Sequence, residues 1–75
     1  MKELLETIAR ALVQFPDDVK VQEEDKDGEV LLTLSVNEQD MGKVIGRSGR
    51  IAKAIRSVMS AAASKADVKV SVDIR

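Results

Sequence analysis

Two glycines three residues apart, Gly46 and Gly49, enclose Arg47 and Ser48 in the part of the chain best suited to chemistry. Because glycine has no side chain, the backbone of such a turn can lie directly against a ligand and expose its amide hydrogens. Amide hydrogens at the start of a helix favour an anion. The spacing therefore predicts a turn whose backbone binds a phosphate group.

Basic side chains surround this turn, although the net charge of the chain is only −1. Residues 41–56 carry no acid and have a formal charge of +5, whereas residues 1–40 carry four basic against eleven acidic side chains, a charge of −7. We expect an acidic body with one basic surface, where a polyanion binds through more than one phosphate. The basic residues are Lys43, Arg47, Arg50, Lys53 and Arg56.

The composition excludes most catalytic chemistry. The 75 residues include no cysteine and no histidine, which removes thiolate nucleophiles, imidazole bases and the usual zinc ligands. The glycines match neither the phosphate-binding loop G-x-x-x-x-G-K-[ST] nor the dinucleotide fingerprint G-x-G-x-x-G. The acidic run at residues 23–27 lacks the spacing of a calcium loop. We therefore expect no enzyme activity, no cofactor and no metal.

Hydrophobic spacing predicts six elements that position the turn. Steps of three and four predict a first helix from residue 4 to residue 15, ended by Pro16, and alternation predicts strands at residues 19–22, 30–36 and 68–74. Asn37 suits the N-cap of a short helix that runs to about Val44. A longer helix should run from Gly49 to about residue 65. Its inward stripe is predicted to contain Ile51, Ile55, Val58 and Ala62.

The resulting order is helix, strand, strand, helix, helix, strand. A tight hairpin makes the first two strands antiparallel, and a helical crossover makes the second and third parallel. Each strand has one apolar face. The sequence therefore predicts an α+β fold, with a three-stranded mixed sheet covered by three helices on one face and the second strand central. Residues 1–75 are predicted to form a single domain.

The turn and its surroundings resemble those of a known family. Ile45-Gly46-Arg47-Ser48-Gly49 is similar to the I-G-x-x-G loop of KH domains, which also joins two helices. The element order resembles the type II arrangement of bacterial KH domains, and the length resembles that of the small KhpA-like proteins. This resemblance implies a type II KH fold that binds single-stranded RNA, with the loop clamping the backbone of about four nucleotides.

The resemblance also assigns roles to residues. Gly46 and Gly49 would be the clamp glycines, and Arg47 and Ser48 the variable pair. Val44 and Ile45 would lie beside or beneath the groove, and Lys69 would contribute to the opposite wall. In the commoner family pattern I-G-x-x-G-x-x-I, the last Ile falls at Ala52, and Ile51 comes one residue early. The predicted RNA-binding set is Lys43, Val44, Ile45, Gly46, Arg47, Ser48, Gly49, Arg50, Ile51, Lys53, Arg56 and Lys69.

Several alternatives remain open at this point. The glycines could serve as a helix stop and a tight turn, and Ser48 could be the N-cap of the second helix. The competing function is a KH-fold pairing module that forms a homodimer, or a heterodimer with a larger KH protein. We predict such pairing through a small-residue face of the long helix formed by Ala52, Ala54, Met59, Ala61 and Ala63.

The expected setting follows from the absence of long apolar runs in the sequence. No stretch is long enough for a signal peptide or a membrane span. We therefore expect a cytoplasmic protein without a membrane partner, which regulates RNA after transcription or acts as an RNA chaperone.

Overall fold

Three helices and three strands follow the predicted order in the computed structural model, which describes residues 1–75. The helices are α1 (Lys2–Leu12), α2 (Met41–Ile45) and α3 (Arg50–Lys65). The strands are β1 (Lys20–Lys26), β2 (Glu29–Ser35) and β3 (Lys69–Ile74). Single turns of 3-10 helix lie at Pro16–Asp18, Glu38–Asp40 and Arg47–Gly49. None of the helices combines the length and the apolar character needed to cross a membrane.

The sheet has the order β1-β2-β3, so β2 is central as predicted. Strand β1 is antiparallel to β2, and the hairpin turn between them has Asp27 and Gly28 at positive φ, 50° and 83°. Such a pair suits a two-residue hairpin turn, because its twist matches that of the strands. Strand β3 is parallel to β2, with α2 and α3 in the crossover between them. The prediction of a mixed sheet is confirmed.

The hydrophobic core lies between the helices and one face of the sheet. Leu32 and Leu34 of the central strand are fully buried, and Leu5 of α1 and Met59 of α3 are buried in the same cluster. The neighbouring positions of the strands, such as Gln22, point to the other face and are mostly exposed and polar. The three helices therefore cover one face of the sheet, and the α+β architecture agrees with a type II KH fold.

Helix α1 ends at Leu12, three residues before the predicted end. Val13 is extended, with φ −102° and ψ 159°. The N–H groups of Gln14 and Phe15 donate to the side chain of Asp40 at 3.0 Å each, instead of to helical carbonyl groups. The carboxylate thus provides the acceptors that a longer helix would have supplied. Periodicity alone could not predict this exchange of partners.

The inward face of α3 differs from the predicted stripe. Its buried residues are Ala52, Ile55, Met59 and Ala63, of which only Ile55 was predicted. Val58 is 48% exposed, and Ile51 and Ala62 are partly buried. The helix carries apolar residues on several adjacent lines, so periodicity does not decide which line meets the sheet.

This rotation of α3 also corrects the predicted pairing face. Met59 is fully buried, and Ala52 and Ala63 are 5% and 1% exposed, so these three residues have no surface to offer a partner. They pack in the protein's own interior, where the long Met59 side chain belongs to the core cluster between the helices and the sheet. Ala54 and Ala61 are exposed, as predicted.

Candidate nucleic-acid interface

The entry to the glycine turn is set by the helix cap at Asn37. Its side-chain oxygen accepts from the N–H of Gln39 at 2.8 Å, which confirms the predicted N-cap. One 3-10 turn and the five residues of α2 follow. Gly46 then ends α2 with φ 75°, and its N–H donates to the carbonyl of Gly42 at 2.8 Å. The predicted stop at Gly46 is therefore present.

The glycine turn, residues 46–49, is a tight turn that connects α2 to α3. The N–H of Gly49 donates to the carbonyl of Gly46 at 3.2 Å, and Ser48 and Gly49 adopt left-handed conformations with φ 56° and 74°. The N-cap of α3 is Gly49, without a side-chain hydrogen bond, so the alternative that Ser48 caps this helix is wrong. Arg47 and Ser48 are the first two residues of the 3-10 turn, before its first internal hydrogen bond, and none of the turn and loop hydrogen bonds uses their N–H groups as donors. Two exposed donors are thus available at the tip.

The two glycines have different structural roles in this loop. A side chain at Gly46 would collide with Ile51, the first apolar residue of α3, whereas a Cβ at Gly49 would meet open space. Ile51 is partly buried and packs against the core cluster, so it lies beneath the turn and supports it. Ala52, at the position of the family's usual Ile, is buried as well. The early Ile therefore fills the space that a bare Gly46 leaves.

The basic side chains around the loop are exposed, and most lack an acidic partner. Arg47, Arg50 and Lys53 form no ion pair, whereas Lys43 lies 3.9 Å from the carboxylate of Asp40. Arg56 is placed differently, because its Nε donates to the carbonyl of Val72 on β3 at 3.2 Å. The surface therefore offers uncompensated positive charge next to the two free N–H groups of the loop, which suits phosphate.

Asp40 positions the loop, a role that the sequence pattern does not indicate. It is fully buried, and its two carboxylate oxygens each accept one backbone N–H from the segment that follows α1. These bonds fix the start of α2 against the end of α1, and α2 leads directly into the glycine turn. A lone Asp after a predicted N-cap carries no signal for this long-range role.

The remaining predicted site residues divide into two groups. Val44 is fully buried beneath the turn, and Ile45 is 38% exposed beside it. Lys69 does not lie with the loop, since it lines a depression with Ser60 and Ser64 near the other end of α3. The structure therefore gathers the loop and its basic flank on the α2–α3 unit, whereas Lys69, the first residue of β3, lies near the C-terminal end of α3.

Two helices joined by a G-x-x-G turn, packed on a mixed sheet of this order, define a KH domain. Residues 2–74 match the family model described as KhpA/KhpB, KH domain. The chain is 55% identical to the RNA-binding protein KhpA of Clostridium acetobutylicum over 74 residues, which cover 99% of each chain. The corresponding protein of Listeria monocytogenes is 46% identical, over 99% of this chain and 97% of that one. The chain belongs to the KhpA/KhpB KH-domain family, which is not an enzyme family.

The fold is also similar to that of a domain in larger proteins of known structure. One is Era in complex with MgGDPNP and a segment of 16S ribosomal RNA, with a TM-score of 0.69 and 16% identity. Another is Aquifex aeolicus Era bound to GDP and aluminium fluoride, with a TM-score of 0.66 and 16% identity. The chain is covered to 97% but spans only 28% of each of those chains. This likeness shows the fold.

Proposed function

We propose that this protein binds single-stranded RNA and that the loop Gly46–Gly49 clamps the RNA backbone. The observation that carries the proposal is the pair of loop N–H groups at Arg47 and Ser48, which lie among the side chains of Arg47, Arg50 and Lys53 that form no ion pair. Such a site neutralises phosphate without reading sequence. The name of these relatives, RNA-binding protein KhpA, supports the same function.

The proposed interface extends from the loop along α3 and holds about four nucleotides. Arg47, Arg50 and Lys53 would contact phosphates, and Ile45 would lie against a sugar or a base. The chain has a single aromatic residue, so bases cannot stack on aromatic side chains as they do in tighter binders. Binding should therefore be weak and rapidly reversible, as suits an RNA chaperone or a post-transcriptional regulator. We place this activity in the bacterial cytoplasm, where RNA is available.

The test is the double substitution Arg47→Asp and Ser48→Asp, which puts two carboxylates where phosphates would bind. Both side chains are exposed, so the fold should be retained, and circular dichroism checks this. Fluorescence anisotropy with a short unstructured RNA should show loss of binding. The parent protein should give a log-log salt slope of roughly −2, for about three phosphates at ~0.7 each.

The matched control is Lys20→Asp with Gln22→Asp, which makes the same change of charge on the open face of the sheet. Both residues are exposed in β1, away from the helices. This variant should lose far less affinity, because the phosphates do not lie beside it. If the folded loop variant bound RNA as tightly as the parent, the loop would not be the clamp.

A second candidate function is protein pairing, with itself or with a larger KH protein. It is favoured by apolar side chains that remain exposed on the helices: Val58 is 48% exposed, and Leu4 and Leu12 are each 37% exposed. Light scattering of the parent and of Val58→Glu tests this pairing. A dimer that dissociates in the variant supports it, and a monomer at high concentration in both excludes self-pairing. Retention on poly(U) at low salt is expected only from the RNA-binding function.

A further inference from the structure

A groove lies beyond the loop, at the opposite end of α3. It has a volume of about 760 Å³ and is formed by the hairpin turn, the last turns of α3 and the first half of β3. We call it the far groove. Its polar side chains include Asp27, Glu29, Ser60, Ser64, Asp67 and Lys69.

The far groove is continuous with the basic surface. A shallower depression next to it is lined by Arg56 and Ser57 and shares Ser60 and Ser64 with the far groove. An α-helix turns by about 100° per residue, which places two sets of residues on one exposed face of α3. Arg50, Lys53 and Arg56 lie in the first half of this face, and Ser57, Ser60 and Ser64 lie in its second half. A strand of RNA held at the loop can therefore extend along α3 into the far groove.

The charge of the surface changes from positive to negative along this path. The far groove has three carboxylates against the single ammonium group of Lys69. A phosphate group is repelled there, because its charge has the same sign as the groove's net charge. Ionised carboxylates accept hydrogen bonds and donate none, and hydroxyls do both. Among the parts of an RNA strand, which carries no positive group, this end of the path therefore suits a neutral base that has several N–H donors.

Two of the three carboxylates are free to accept from a ligand. Glu29 already accepts from the hydroxyl of Ser71 at 3.1 Å, whereas the side chains of Asp27 and Asp67 form no ion pair and no hydrogen bond. No group of three or more acidic side chains lies close enough together to hold a metal ion. The free carboxylate oxygens therefore line an extended groove and do not converge on a single metal position.

Among the nucleobases, guanine satisfies both kinds of group in the far groove. Its N1–H and N2–H₂ lie side by side and can donate to one carboxylate, while O6 and N7 can accept from Lys69 or a serine hydroxyl. Uracil presents one N–H between two carbonyl oxygens, which the carboxylates repel. Cytosine and adenine each present one amino group beside acceptor nitrogens.

We infer that the far groove binds a guanine base of the RNA whose phosphates are held at the loop, with Asp67 and Asp27 as its acceptors. This inference rests on the proposed RNA binding. It gives the protein a sequence preference that the loop, which contacts only backbone, cannot supply. Asp67 and Asp27 are then specificity residues, and their negative charge opposes general binding to uridine-rich RNA.

The experiment uses a short oligouridine and a series of the same length with one guanine moved through each position. Fluorescence anisotropy should show at least one position where guanine tightens binding by about fivefold, the lower end for one bidentate base contact. Asp67→Asn and Asp27→Asn should each reduce this gain without weakening binding to oligouridine. Both residues have positive φ, 59° and 50°, and asparagine tolerates that conformation, so the turns should be retained.

Asp17→Asn is the matched control, because it removes the same charge from an exposed residue outside the groove. It should leave the guanine preference unchanged. Equal affinity for all oligonucleotides, or a full guanine preference in both aspartate variants, would overturn the inference and leave RNA binding at the loop intact. Failure of the parent to bind any oligonucleotide would overturn the proposed function and this inference with it.

Discussion

Gly46 and Ile51 are packed so closely that no side chain fits between them. A Cβ built on Gly46 would lie 2.8 Å from the Cβ of Ile51 and 2.9 Å from its backbone nitrogen, distances that real Cβ atoms essentially never show. Ile51 is the second residue of α3, so this contact joins the end of α2 to the start of α3. The narrow turn that exposes the N–H groups of Arg47 and Ser48 depends on it.

The first prediction is that Gly46→Ala destabilises the protein by roughly 2 to 4 kcal/mol. One part is overpacking against Ile51, and the other is the strain of a non-glycine residue at φ 75°. Urea denaturation followed by circular dichroism measures the change. Gly42→Ala is the control, because nothing lies within 4 Å of a Cβ there. A loss of stability no larger than the control's would mean that the contact is not tight in solution.

Gly49 should behave differently, since its requirement is conformational and not steric. Gly49→Val should cost about 2 kcal/mol and displace the loop, because a β-branched residue disfavours φ 74°. Gly49→Asn should cost less than about 1 kcal/mol, because asparagine tolerates the left-handed conformation. Thermal unfolding of the two variants checks the difference. Equal losses would show that the space around Gly49, and not its φ, limits the residue.

Asp40 should be essential for the position of α2. Asp40→Ala leaves the partly buried N–H groups of Gln14 and Phe15 without acceptors, at a cost of roughly 2 to 4 kcal/mol. Asp40→Asn keeps one oxygen and should lose less. Amide hydrogen exchange should be faster at Gln14 and Phe15 in the alanine variant. Unchanged protection at these two amides would contradict the assigned hydrogen bonds.

Two neighbouring residues of α3 should lose very different amounts of stability when each is replaced by glutamate. Met59→Glu buries a carboxylate without a partner, at a cost of more than about 4 kcal/mol, and should unfold the protein. Val58→Glu changes a half-exposed residue and should alter stability by less than about 1 kcal/mol. Circular dichroism of the two purified variants distinguishes them. A folded Met59→Glu protein would contradict the burial of Met59 and would support the inward stripe of α3 that was predicted from periodicity.

The sequence predicted the order of the elements better than it predicted their packing. The order of elements, the cap at Asn37 and the stop at Gly46 depend on interactions within a few residues of each other, so local patterns contain the necessary information. The glycine spacing and the run of basic residues without an acid are equally local. These features were sufficient to indicate the KH loop and the α+β fold, and the structure confirms that fold.

Tertiary structure alone decided which line of α3 meets the sheet. The helix has alanines and other apolar residues on several sides, so the helical periodicity fits more than one inward-facing line equally well. It also decided that Asp40 ends α1, that Ile51 supports Gly46, and that Arg56 reaches the carbonyl of Val72. Each of these contacts joins residues whose separation or orientation depends on how whole helices pack. Burial depends on how the helices and the sheet pack together. The hydrophobic pattern of the sequence therefore determines which segments form helices and strands, but not which face of a helix contacts the sheet.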